Sequence, residues 1–152
     1  IIAKFVREST FFTMDVIKFK GTDKKLYELI CPLIMSPAVL RQNNNYPFKT
    51  GGRYVWYIAM ESEQVSGFMP VKRTSTDYHI IDNYYIKGDD ESVLCRLLAE
   101  VIADKARQGE LWAVTHKRHV EQFVKNDFCS RIEWKNYHKM QYCRMEDAVC
   151  AN

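Results

Sequence analysis

The chain reads as one α/β domain in which helices interrupt a run of mostly antiparallel strands. Three observations support that reading. Residues 53–86 hold three aromatic and β-branched runs parted by short polar turns, the pattern of an antiparallel meander. Residues 90–108 hold one helical stripe, in which Val93, Leu94, Leu97, Leu98, Val101 and Ile102 share a face suited to lie on a sheet. The third is size: 152 residues, 47% apolar, can bury a core without a metal or disulfide staple. The formal charge of +3 excludes a strongly basic arm or an acidic disordered chain. No apolar stretch nears the roughly 18 residues of a membrane span. The opening IIAKFVREST is too short and too charged for a secretory leader. A soluble, cytoplasmic domain is expected.

In chain order, Ile1–Val6 and Val16–Lys20 read as strands around the polar stretch Arg7–Thr10. Residues 1–13 are open to three readings: an added strand, an arm exchanged with a partner, or residues of cloning origin. Asp23 suits the N-cap of a helix over Lys24–Cys31, where Leu26, Leu29, Ile30 and Leu33 keep helical spacing. Pro32 is expected to kink or end it, and Pro37 to open a short turn through Leu40. Gln42–Asn45 and Gly51-Gly52 mark a loop. Strands follow at Arg53–Met60, Val65–Thr74 and Tyr78–Ile86, joined by turns at Glu61–Gln64 and Ser75–Asp77. Gly67 and Pro70 suggest an edge position or a bulge for the middle strand. Asp89, Asp90 and Glu91 suit the positive end of the next helix, Asp90–Gln108, and Gly109 its stop. A strand at Glu110–Thr115, a helix at Arg118–Asn126 burying Val120, Phe123 and Val124, and a hairpin over Cys129–Met145 complete the order β-α-β-β-β-α-β-α-β-β. No repeat or second domain is apparent, so residues 1–152 are read as a single domain.

This order resembles the GNAT superfamily of acyl-CoA N-acyltransferases over about Asp15 to Met145. Ile81–Ile86 resembles the family's fourth strand, with acidic Asp82 four residues ahead of Ile86. Ala99–Gly109 resembles the end of its third helix. His116–Phe128 resembles its N-x-x-A-x-x-x-Y-x-x-x-G-F helix, with Phe123 at the Tyr position and Phe128 at the final Phe. The resemblance implies a mixed, mostly antiparallel central sheet flanked by helices. It implies transfer of an acetyl group from acetyl-CoA to a substrate amine, on a small molecule or a protein, by a monomer or homodimer. It also implies site residues. Asp82 is the candidate base or water relay, on a strand face shared with Tyr84 and Ile86. Backbone groups of Tyr85 and Ile86 are candidates to hold the pantetheine arm, and Lys87, Gly88 and Ser92 to meet the pyrophosphate. Tyr84 and Phe123 complete the cofactor-binding set. His116 stands at the family's asparagine and can donate a hydrogen bond or move protons. Tyr137 is a candidate proton donor, as is Tyr142, because phenylalanine at 123 has no proton to give.

Two departures support a different reading. At the family's phosphate loop, R/Q-x-x-G-x-G/A, this chain has Lys87-Gly88-Asp89-Asp90-Glu91-Ser92, one glycine with three acids. Those acids are expected to cap the helix themselves. With Phe123, they favour a GNAT-fold binding module that has lost acyl-CoA catalysis and acts through protein or nucleic-acid contacts. Lys105–Arg144 carries nine Lys or Arg against four Asp or Glu, interleaved with Trp112, Trp134, Tyr137 and Tyr142. Such a surface attracts CoA phosphates or nucleic acid, or simply solvates the domain.

Plainer roles stand beside each candidate. Asp82 can be a solvated or paired carboxylate, and Glu61 and Glu63 read as solvated turn residues. His116 and His119 are spaced to share a helix face but lack a third ligand at a recognised spacing, so no metal is expected. Cys129, His138 and Cys143 read as strand residues. The five cysteines show no C-x-x-C and read as reduced thiols, with Cys95 a small buried hydrophobe.

Overall fold

The computed structural model describes residues 14–143. The expected strand Ile1–Val6, the end of the closing hairpin and Cys150 lie outside the described residues. Strands β1 (Asp15–Lys20), β2 (Tyr54–Glu61) and β3 (Gln64–Arg73) are antiparallel neighbours, β2 and β3 being the first two strands of the expected meander. Ser62 and Glu63, with φ of 49° and 65°, make the two-residue turn between β2 and β3, so Glu61 closes a strand and is not in the turn. Next come β4 (His79–Ile81), β5 (Tyr85–Ile86), β6 (Leu111–His116), β7 (Phe128–Glu133) and β8 (Tyr137–Tyr142). They make one eight-stranded sheet in the order β1-β2-β3-β4-β6-β8-β7, with β5 paired to β3 off that path. Only the β4–β6 pair is parallel among these ladders.

Side-chain alternation gives β2 and β3 two buried faces. Tyr57, Ala59, Met69 and Val71 pack with α3 (Glu91–Lys105) and α4 (Val120–Lys125). Trp56, Ile58 and Phe68 pack with α1 (Lys24–Ile34) and α2 (Pro37–Gln42). The stripe on α3 is buried as its spacing requires, each of Val93, Leu94, Leu97, Leu98 and Val101 being at most 2% exposed. Each contributes about 1.5–3 kcal/mol by leaving water. Asp90 caps this helix, its carboxylate accepting from Ser92 N and Val93 N. Gly109, at φ 134°, follows the short 3₁₀ turn that ends it.

Several expectations are corrected. Pro32 lies inside α1 and does not end it; Pro32 is exposed, where water can take up the carbonyl it strands. β3 is a central strand, although the bulge is real: Ala59 pairs Gly67 while Met60 pairs Val65, leaving Ser66 extra. Cys95 is half-exposed, and Val124 is 53% exposed on the outer side of α4. The helix expected over Arg118–Asn126 begins with a 3₁₀ turn, Lys117–His119.

The correction that shapes the site concerns Tyr78–Ile86, which is not one strand. β4 pairs β3 through Val71↔Ile81, and the chain then breaks at Asn83, whose φ is 55°. It rejoins β3 further along as β5, through Phe68↔Tyr85 and Gly67↔Ile86. A Cβ on Gly67 would stand 2.8 Å from the Tyr85 carbonyl oxygen, so only glycine admits β5 this closely. Pro70, which has no N–H, falls in the interval of β3 between its β4 and β5 partners. Meanwhile β6 leaves β4 after Ala113 and continues to His116 beside β8. The sheet therefore opens between β5 and β6.

Candidate active site

At the opening lies a cleft of about 610 Å³. Its floor comes from β6, where Leu111, Ala113 and Thr115 point into the α3–α4 core and leave Val114 and His116 on the other face. Tyr137, the cross-strand partner of His116, stands beside it with ring centroids 5.3 Å apart, edge to face. Asp82 and Asn83 come from the strand break. Gln42, Asn43, Asn44 and Tyr46 come from the end of α2 and the loop after it. Tyr46 and Trp134, 62% and 51% exposed, also line the cleft.

All three candidate catalytic residues, Asp82, His116 and Tyr137, line this one cleft. Asp82 does not share a strand face with Tyr84 and Ile86 as expected, because the turn at Asn83 interrupts the alternation. Its carboxylate reaches water yet stands in a recess with protein around it. That desolvation raises its pKa, against the lowering effects of the Asn83 amide, Lys72 and Lys49. His116 accepts from Arg118 N at Nδ1, 3.1 Å, so the neutral ring carries its proton on Nε2. Burial, then Arg118 and Lys117, lowers its pKa and favours that neutral form.

The cofactor candidates are dispersed. Tyr84 lines the cleft but is itself 9% exposed, and its hydroxyl meets Thr115 Oγ1 at 2.5 Å and His119 Nδ1 at 2.7 Å. Phe123 is fully buried between Tyr84 and Phe128 and does not line the cleft. Tyr142 packs on Phe128, away from it. Tyr85 stacks against Phe68 on the α1–α2 side. The Ile86 N–H and C=O face away from β3 and are both engaged by the Gln42 carboxamide, at 2.9 and 2.7 Å. Gly88 takes φ 63° in a turn with exposed Lys87 and Asp89. Ser92 donates its hydroxyl to Asp90 at 2.7 Å.

Contacts that sequence reasoning did not anticipate join these parts. His119, 5% exposed at its side chain, meets Asp89 at 2.9 Å through Nε2. Burial, then Arg118, lowers its pKa more than Asp89 raises it. The neutral ring thus donates from Nε2 to Asp89 and accepts at Nδ1 from Tyr84. Arg118 reaches Asp89 at 3.3 Å and the Gln42 carbonyl at 3.4 Å. Lys125 pairs with Glu91 at 3.2 Å. A continuous chain of contacts, Thr115–Tyr84–His119–Asp89–Arg118–Gln42–Ile86, links β6 to β5. Among the described residues no three His, Cys, Asp or Glu gather as a metal site.

No protein-family profile and no curated protein matches the sequence. Solved structures do match. Escherichia coli ElaA superposes with a TM-score of 0.67 at 10% identity, over 86% of this chain and 99% of that one. An acyl-CoA N-acyltransferase from Pseudomonas aeruginosa gives 0.65 at 11%, over 86% and 99%. The Campylobacter jejuni N-acetyltransferase PseH, in complex with acetyl coenzyme A, gives 0.53 at 13%, over 84% and 96%. The chain has the fold of the GNAT superfamily: a mixed, mostly antiparallel sheet flanked by helices.

Proposed function

We propose that the chain is an N-acyltransferase that moves an acetyl group from acetyl-CoA to an amine held in the Asp82–His116–Tyr137 cleft. The observation that supports it is the parting of β5 from β6 beside the cleft that gathers those three residues. The amide-bearing arm of the carrier fits the Ile86 edge, where an amide, that of Gln42, already docks. Its phosphates fit less well, because Asp90 holds the Ser92 and Val93 N–H groups that open α3. Acetyl-CoA, when bound, supplies the activated acyl group. Asp82 accepts the proton of the incoming ammonium, directly or through water, and its raised pKa suits it to that work. The Tyr137 hydroxyl supplies the proton a leaving thiolate needs, and neutral His116 offers that thiolate a hydrogen bond through Nε2–H. The acceptor is an amine on a small molecule or a protein.

A second reading, a binding module without acyl transfer, draws on the same loop. Asp89 and Asp90 are engaged by the protein's own groups, and Phe123 offers no proton. Calorimetric titration with acetyl-CoA and a melting scan separate the two. At a hundred times the dissociation constant, acetyl-CoA is expected to stabilise the fold by about 2.7 kcal/mol. No heat and no melting shift at millimolar acetyl-CoA would reject the acyltransferase and leave the module. Nothing in the geometry singles out nucleic acid as its partner. The described residues contain no helix long and apolar enough to cross a membrane.

A further inference from the structure

Gln42 and Asp89 stand out because each makes contacts of the kind a carrier would make. The Gln42 carboxamide bonds both backbone groups of Ile86, with N–H and C=O opposed as a neighbouring strand would present them. Such pairing satisfies an edge that the sheet leaves open. A ligand amide docking on Ile86 would need the same two groups. Asp89 places its carboxylate between Arg118 and His119, the latter nearly buried and donating to it at 2.9 Å. Two donors converging on an oxyanion form an anion site, and here the protein fills it from within. Arg118 also reaches the Gln42 backbone carbonyl at 3.4 Å, so the residue that holds Asp89 also touches the main chain of the residue that holds Ile86.

We infer that Gln42 and Asp89 are intramolecular stand-ins for the carrier's amide and phosphate, so that the carrier binds by exchange with them. The inference rests on the acyltransferase reading and adds to it the two residues that set affinity for the carrier. Exchange at Ile86 replaces one pair of amide hydrogen bonds by another, so selection there favours an arm with an amide N–H and C=O. Exchange at Arg118 and His119 replaces a carboxylate by a phosphate of equal or greater charge. Neither end of the carrier gains the full strength of its contacts, because each first breaks an internal one.

Three probes are titrated against the full chain and against Gln42→Ala and Asp89→Asn: acetyl-CoA, S-acetylpantetheine and inorganic pyrophosphate. Gln42→Ala is expected to tighten S-acetylpantetheine at least tenfold and leave pyrophosphate within twofold. Asp89→Asn is expected to do the reverse, and the double variant to bind acetyl-CoA more tightly than either single one. Circular dichroism verifies that each variant folds, and Gln42→Leu replaces Gln42→Ala if the latter does not. Equal acetyl-CoA affinity in all variants overturns the exchange while leaving the acyltransferase reading in place. Tightening of both fragments by either variant also overturns it, since general loosening then explains the gain. Absence of binding even to the double variant overturns both.

Discussion

Asp82 and Asp89 differ in what surrounds them, and on the acyltransferase reading the difference suits them to different work. Asp89 is 45% exposed at its side chain and engaged by a guanidinium and an imidazole, so its lone pairs are already committed. Asp82 stands in the cleft with its carboxyl pushed up by desolvation, toward the range where a base accepts a proton at working pH. Asp82→Asn is therefore expected to lower acetyl-transfer turnover by about 10²–10⁴-fold, the usual span for one acid–base group. Affinity for acetyl-CoA should stay within twofold. Stopped-time assays of thiol release measure the first and calorimetry the second; unchanged turnover returns Asp82 to the role of a solvated carboxylate. At this scale residue type picked out Asp82, His116 and Tyr137, and the fold brings the three into one cleft. Residue type gave no role in the cleft to Gln42, Arg118 or His119. Their roles depend on partners 29 to 76 positions away, which only the folded sheet brings near. Phe123 was legible as a departure from a motif, but its place as a ring packed between Tyr84 and Phe128 was not.

Helix α3 was the most legible element, because stripe, cap and stop all agreed. The strand break was not. Residues 78–86 are β-formers almost throughout, and local propensity has no means of assigning the two ends to different intervals of β3. The division depends on the glycine at position 67 that lets β5 approach, a long-range cause. The helix end expected by Cys31 was misplaced for the opposite reason: proline's propensity outweighed in expectation what solvent exposure tolerates in practice. The tight turn between β2 and β3 carries a prediction of its own. Glu63 adopts φ 65°, where an L side chain costs about 1–2 kcal/mol. Glycine removes that cost but adds roughly 0.5–1 kcal/mol of unfolded-state entropy. Glu63→Gly should therefore stabilise the domain by about 0.5–1 kcal/mol in urea denaturation. A loss of stability would mean that the Glu63 side chain supports the turn in some other way.

Across the molecule, His79, His116 and His119 all have pKa values held below the ordinary 6.5, in each case chiefly by burial. His79 also has a buried Nδ1 without a hydrogen-bond partner among the described residues. The unfolded chain thus binds more protons than the native one as pH falls below about 6.5, and stability must fall with it. Asp82, with a raised pKa, pulls the other way as one group against three. Melting temperature is expected to drop between pH 7.5 and 5.5, and His119→Gln to flatten part of that slope. A melting temperature that rises on acidification would contradict the assignment. The opening in the sheet has one more consequence. A β-sheet ordinarily has two margins to guard against a foreign strand, but this one acquires a third in its middle, along β5. Unpaired amides there would template addition of a strand from another chain, the first step towards aggregation. The Gln42 side chain closes that margin at Ile86 with a single residue from a neighbouring helix, leaving a second molecule no free rung there on which to begin.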